Sequence, residues 1–94
     1  MSITPFGTRL HEAVRRAGTP LCMGIDPHVD MIPDLFGTAT DIGSGSAIRT
    51  IEDFSMACLQ TAIGRVPAIK PQAAFFEMHG PDGLAVLARL GRAA

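Results

Sequence analysis

The sequence predicts an α/β protein built on parallel strands. Two short apolar runs bounded by chain breakers, residues 21–25 and 66–69, read as strands of a parallel sheet. Helical periodicity precedes, separates and follows them, giving the order helix, strand, helix, strand, helix. Strands that alternate with helices imply βαβ units. The bulk numbers agree with a folded chain. Of 94 residues, 47% are hydrophobic and 18% charged, with mean hydropathy +0.26. A disordered segment would show the reverse balance.

The first helix is expected at about 5–17. Thr4 is placed to cap it and Pro5 suits the first helical position, where no N–H is needed. Phe6, Leu10, Ala13, Val14 and Ala17 form one apolar stripe. Arg15 and Arg16 fall in the last turn, where cations suit the helix dipole, and Gly18 is a C′ residue. The run 21–25 is apolar on both faces, and Gly24 within it marks a close approach of backbone or ligand. Residues 27 to about 49 form a long Gly- and Pro-punctuated connection, with a helical turn near 31–36. Long loops of this kind often carry function.

A second helix is expected at 51–63. Thr50 and Asp53 resemble a capping box, and Ile51, Phe54, Cys58, Leu59 and Ala62 share a stripe. After the strand at 66–69 come Lys70 and Pro71, then a short helix at 73–79. Gly80-Pro-Asp-Gly83 turns into a last helix at 84–92, with Leu84, Leu87, Ala88 and Gly91 on one side. Two parallel strands leave two open edges, so residues 1–94 are expected to be an incomplete part of a larger α/β domain.

Several function classes are disfavoured. A net charge of −1 and a pI near 6.2 give no basic face for nucleic acid. No apolar run approaches the roughly 20 residues that span a membrane. The N-terminus has no basic and apolar leader, so a cytoplasmic location is expected. Cys22 and Cys58 lie far apart and read as two small buried hydrophobes of a reducing compartment.

Two charged residues stand out. Asp26 follows the first strand and Lys70 follows the second. Ligands of parallel α/β folds bind at the carboxyl ends of strands, so both residues belong to one rim. Their plainer reading is a turn cap and a solvated lysine. Asp26-x-His28-x-Asp30 is too loose for a metal site and lacks a further ligand, so no metal is expected. Gly43-Ser-Gly45-Ser lacks the Gly-Lys-Ser/Thr ending of a phosphate loop and reads as flexible loop. Phe75 and Phe76 read as core, Glu77 as a rim or surface carboxylate, His79 as a turn residue and His11 as solvated.

The blocks Phe6-Gly-Thr-Arg-Leu10, Pro20-Leu-Cys-Met-Gly-Ile-Asp-Pro-His28 and Ala68-Ile-Lys-Pro-Gln-Ala-Ala-Phe-Phe-Glu77, with Gly80 and Gly83, resemble the orotidine 5′-phosphate decarboxylases of the longer bacterial branch. The resemblance implies a (β/α)8 TIM barrel, of which this chain supplies a leading helix and about two βα units at the N-terminus. It implies conversion of orotidine 5′-phosphate to UMP and CO2, in de novo pyrimidine biosynthesis, with no metal or organic cofactor. It implies that Asp26 binds the ribose hydroxyls. It implies that Lys70 contacts the ribose and joins an alternating Lys/Asp charge network, making it a catalytic residue. The expected partners are a second subunit of a homodimer or a chain completing the barrel. The family's third-strand Asp-x-Lys-x-x-x-Asp motif and its phosphate loops have no counterpart in these 94 residues, so the chain alone is expected to be inactive. Two other readings stay open: a non-catalytic partial barrel acting as an assembly module, and a small nucleotide-binding α/β domain.

Overall fold

The computed structural model describes residues 3–38 and 41–94. Met1 and Ser2, where the expected absence of a leader begins, and Ala39 and Thr40 of the long connection lie outside them. The elements are helix α1 (Phe6–Ala17), strand β1 (Cys22–Ile25), two 3-10 turns (Val29–Met31 and Asp34–Phe36), helix α2 (Gly45–Ala62), strand β2 (Ala68–Pro71), short helix α3 (Ala74–Glu77) and helix α4 (Pro81–Ala93). β1 and β2 pair in parallel, with Cys22 opposite Ala68, Met23 opposite Ile69, Gly24 opposite Lys70 and Ile25 opposite Pro71. The mixed helix–strand order and the parallel pair agree with the sequence reading.

The core lies between one face of this pair and the helices that follow it. Ile25, Ile51, Leu59, Phe76, Val86 and Leu90 are buried together, joined by Ile32 from the connection. α2 packs on β1 and α4, and α3 packs on α4. Gly83 permits the last of these contacts: a Cβ there would collide with the Phe76 carbonyl oxygen. The result is a slab of 42 × 28 × 17 Å with a radius of gyration of 14.8 Å. A compact domain of this length would have about 12 Å. The 6131 Å² of exposed surface also exceeds the roughly 5,200 Å² expected for a folded monomer of this mass.

That openness overturns several expectations of burial. α1 has a clear apolar stripe but no buried residue, and Phe6 is 68% exposed. Leu10, Ala13, Val14 and Ala17 are only half-covered. β1 is not buried on both sides: Leu21 is 64% exposed and Cys22 and Gly24 face solvent. Cys22 is therefore not the buried hydrophobe expected. Cys58 is half-buried, and burial pushes its thiol pKa up, which keeps it protonated.

Helix boundaries differ for local reasons. Thr4 does not cap α1; Pro5 occupies the N-cap position without a side-chain hydrogen bond. Gly18 does close α1 in the left-handed conformation, with its N–H donating to the Val14 carbonyl at 2.9 Å. α2 begins six residues earlier than expected. Ser44 is its N-cap, its Oγ accepting from the Ala47 N–H at 3.1 Å. Thr50 is no cap: it is buried inside α2 and donates to the Ser46 carbonyl at 2.9 Å. The second half of Gly43-Ser-Gly45-Ser is thus helix rather than loop. β2 lies two residues later than expected. α4 starts at Pro81 and buries Gly83, Val86 and Leu90 instead of Leu84, Ala88 and Gly91.

Candidate functional site

The rim at the carboxyl ends of β1 and β2 starts from alternation. Successive strand residues point to opposite faces, and residues in register on neighbouring strands point the same way. Met23, Ile25 and Ile69 take the helix-covered face, Ile25 being fully buried. Gly24 and its register partner Lys70 take the other. A Cβ on Gly24 would lie 3.1 Å from Asp26 Oδ2, so the Asp26 carboxylate stands over the bare face of Gly24. Asp26, Gly24 and Lys70 therefore share one exposed face. Lys70 is the sole lysine of the sequence. Asp26 and Lys70 form no ion pair with each other; among the described residues the ion pair is Arg89 with Glu52. Carboxylate and ammonium are both solvent-exposed and open to a ligand.

The loops leaving the two strands are tied together. The Gln72 N–H donates to the Ile25 carbonyl at 3.1 Å, extending the strand pairing past β2. The His28 N–H donates to the Asp26 carbonyl at 2.8 Å, folding the chain sharply around buried Pro27. The His28 ring tilts against Phe75, with centroids 5.7 Å apart. Phe76 is core, as expected, whereas Phe75 is half-buried beneath His28. Glu77 is exposed, and the described residues contain no cluster of ligands suited to a metal ion.

His79 is the residue that sequence reasoning missed. It lies in a turn, as expected, but it is buried, 4% exposed, and its Nδ1 accepts the Gly43 N–H at 3.0 Å. A histidine between Met78 and Gly80 carried no pattern that could reveal a partner 36 positions away. A hollow of about 640 Å³ lies elsewhere. It is lined by Ala13, Arg16, Leu59, Ala62, Val66 and Ile69 among others, between α1, the end of α2 and the segment entering β2. Its apolar walls carry none of the rim's charged groups.

The class defined by these features is an α/β unit with an exposed charged rim at the carboxyl ends of its parallel strands, where ligands of such folds bind. Comparison with known proteins finds sequence relatives. The chain is 42% identical over 86 residues to an orotidine 5′-phosphate decarboxylase of Nocardioides sp. strain JS614, an alignment covering 92% of this chain and 29% of that protein. It is 41% identical over 83 residues to the Streptomyces coelicolor protein of the same name and 35% identical over 83 residues to that of Rhodopirellula baltica. The chain is thus a sequence relative of the orotidine 5′-phosphate decarboxylases, and it spans less than a third of their length, consistent with an N-terminal portion. No family model and no solved structure matches it. No helix among the described residues is long and apolar enough to cross a membrane.

Proposed function

We propose that this chain forms the first part of a (β/α)8 barrel that decarboxylates orotidine 5′-phosphate to UMP, and that it supplies the ribose-binding edge of the active site. The observation that carries the reading is the common exposed face of Asp26 and Lys70 at the ends of parallel strands. A carboxylate there accepts hydrogen bonds from the ribose hydroxyls. An ammonium beside it donates to the sugar and adds positive potential near the ring.

The reaction breaks the bond between the pyrimidine C6 and its carboxylate. CO2 leaves, the electron pair stays on C6, and a proton then fills that position. A fixed cation lowers the energy of the developing charge, and a general acid delivers the proton. Lys70 contributes to the first task but cannot also perform the second while it holds the ribose. The sequence contains no other lysine. A grip on the phosphate dianion, whose binding energy can be spent on the reacting centre, must come from further barrel loops. No step is assigned to a metal or an organic cofactor.

Completion of the barrel would come from polypeptide matching the remaining length of the relatives, and assembly with a second subunit follows the same reading. We place the protein in the cytoplasm on the same grounds. The bare strand face and the exposed Leu21 and Phe6 also favour a second reading, a module whose role is assembly alone.

The test is decarboxylation of orotidine 5′-phosphate by the 94-residue chain, alone and co-expressed with the remaining portion of the Nocardioides relative. The decarboxylase reading expects turnover only from the pair. Assembly without turnover selects the module, and turnover by the 94-residue chain alone contradicts the assignment of roles.

A further inference from the structure

His79 joins the two loops that leave β1 and β2. The first loop reaches the start of α2 and presents the Gly43 N–H; the second passes through α3 and presents the His79 ring. Nδ1 accepts that N–H at 3.0 Å, so the ring is neutral and carries its proton on Nε2. Nε2 is buried and has no partner among the described residues. Gly83 packs against the base of this side chain: a Cβ on Gly83 would come within 2.8 Å of His79 Cβ. Gly43 is also close to the His79 backbone, its Cβ position lying 3.9 Å from the His79 carbonyl oxygen.

We propose that His79 is an acid-sensitive latch that holds the loop after β1 to the segment after β2. A second proton would have to enter at Nδ1, where it would confront the Gly43 N–H, donor against donor. Protonation therefore breaks the hydrogen bond and places a charge in a buried site that has no counterion among the described residues. The titratable groups on the surrounding segments are Asp41 in the loop, Glu77 on α3, Asp82 on α4, and Glu52 on α2. The first three are exposed, Glu52 is engaged by Arg89, and none is hydrogen-bonded to the imidazole. Burial, not a neighbouring charge, pushes the His79 pKa below the ordinary histidine value.

The sign follows. With its folded pKa lowered, the neutral ring's contribution is complete above the ordinary histidine value, about 6.5. It is lost as pH falls through the lowered folded value. Gly43 lies next to the α2 cap Ser44, so opening the latch frees the loop's end and leaves the α4 core in place.

The proposal does not depend on decarboxylation, and its test reads the latch directly. Imidazole nitrogen shifts of His79 and exchange of the Gly43 amide are followed by NMR from neutral to acid pH. At neutral pH, Nδ1 should show the shift of an unprotonated acceptor and the Gly43 amide should be protected. Acid should protonate His79 and release Gly43 with one midpoint, while the Leu90 amide stays protected. His79→Asn, which keeps an acceptor near the Nδ1 position, should hold Gly43 but remove the acid step. His79→Phe should speed Gly43 exchange by about tenfold at neutral pH. A proton on Nδ1 at neutral pH overturns the proposal, as does Gly43 protection that ignores His79 titration. Joint loss of Leu90 and Gly43 protection overturns it too, since that is global unfolding. Should His79→Phe fail to fold, the wild-type titration and His79→Asn decide the matter.

Discussion

On one face of the β1–β2 pair, Ile25 is sealed in the core with Ile51 and Leu59 of α2, and Ile69 packs at its margin. On the other face, Cys22, Gly24 and Lys70 meet solvent, with the Asp26 carboxylate over Gly24. The backbone is shared and the two sides differ only by alternation, yet one side packs into the core and the other presents an exposed carboxylate and ammonium. The covered face has its partner in the same chain. The bare face presents Asp26 and Lys70 to solvent.

The comparison breaks most severely from the covered side. Phe76→Ala removes a fully buried ring and should cost about 3–5 kcal/mol, read as a lowered midpoint in urea. Lys70→Ala should leave that midpoint unchanged and, on the decarboxylase reading, lower turnover of the completed enzyme by about 10²–10³. A matching loss of stability in Lys70→Ala would mean that the bare face also supports the fold.

Much of this division is legible in the sequence. The strand positions, the common rim of Asp26 and Lys70, and the Gly18 stop follow from breakers, spacing and parallel topology. What could not be read depended on partners distant in sequence. Leu21 and Cys22 are apolar enough for a sealed strand, but Leu21 lies just before β1 and Cys22 on its bare face, and both remain exposed. The polar helix start was hidden because Ser44 is followed by Ala47 rather than by the Glu or Gln of a capping box. The face of α4 was misread because Leu84, Val86, Leu87 and Leu90 make it apolar nearly all round, and only α2 and α3 choose among them. His79 needed knowledge of Gly43.

Smaller effects sharpen the picture. Ser44→Ala should cost about 1 kcal/mol by leaving the Ala47 N–H uncapped, and a thermal melt would register it. Gly24→Ala is a probe of the bare face alone: its methyl would press on Asp26 Oδ2 at 3.1 Å and turn the carboxylate. A raised KM with nearly unchanged stability is expected. The exposed Arg89–Glu52 pair, with contacts at 2.5 and 2.9 Å, should matter least. The Arg89 hydrogen bond holds the Glu52 carboxyl below its ordinary range. The pair's small contribution is therefore present above the ordinary carboxylate pKa and disappears as pH falls through the lowered value. Arg89→Ala should lower Tm slightly at pH 7 and not at all once Glu52 is protonated.

The most direct test of the account is a kinetic comparison of Asp26→Ala and Lys70→Ala in the completed enzyme. The account predicts that Asp26→Ala chiefly raises KM, by about tenfold or more, through lost ribose hydrogen bonds. It predicts that Lys70→Ala chiefly lowers kcat. If both variants turn over orotidine 5′-phosphate with wild-type KM and kcat, the bare face of β1 and β2 is not the substrate's edge.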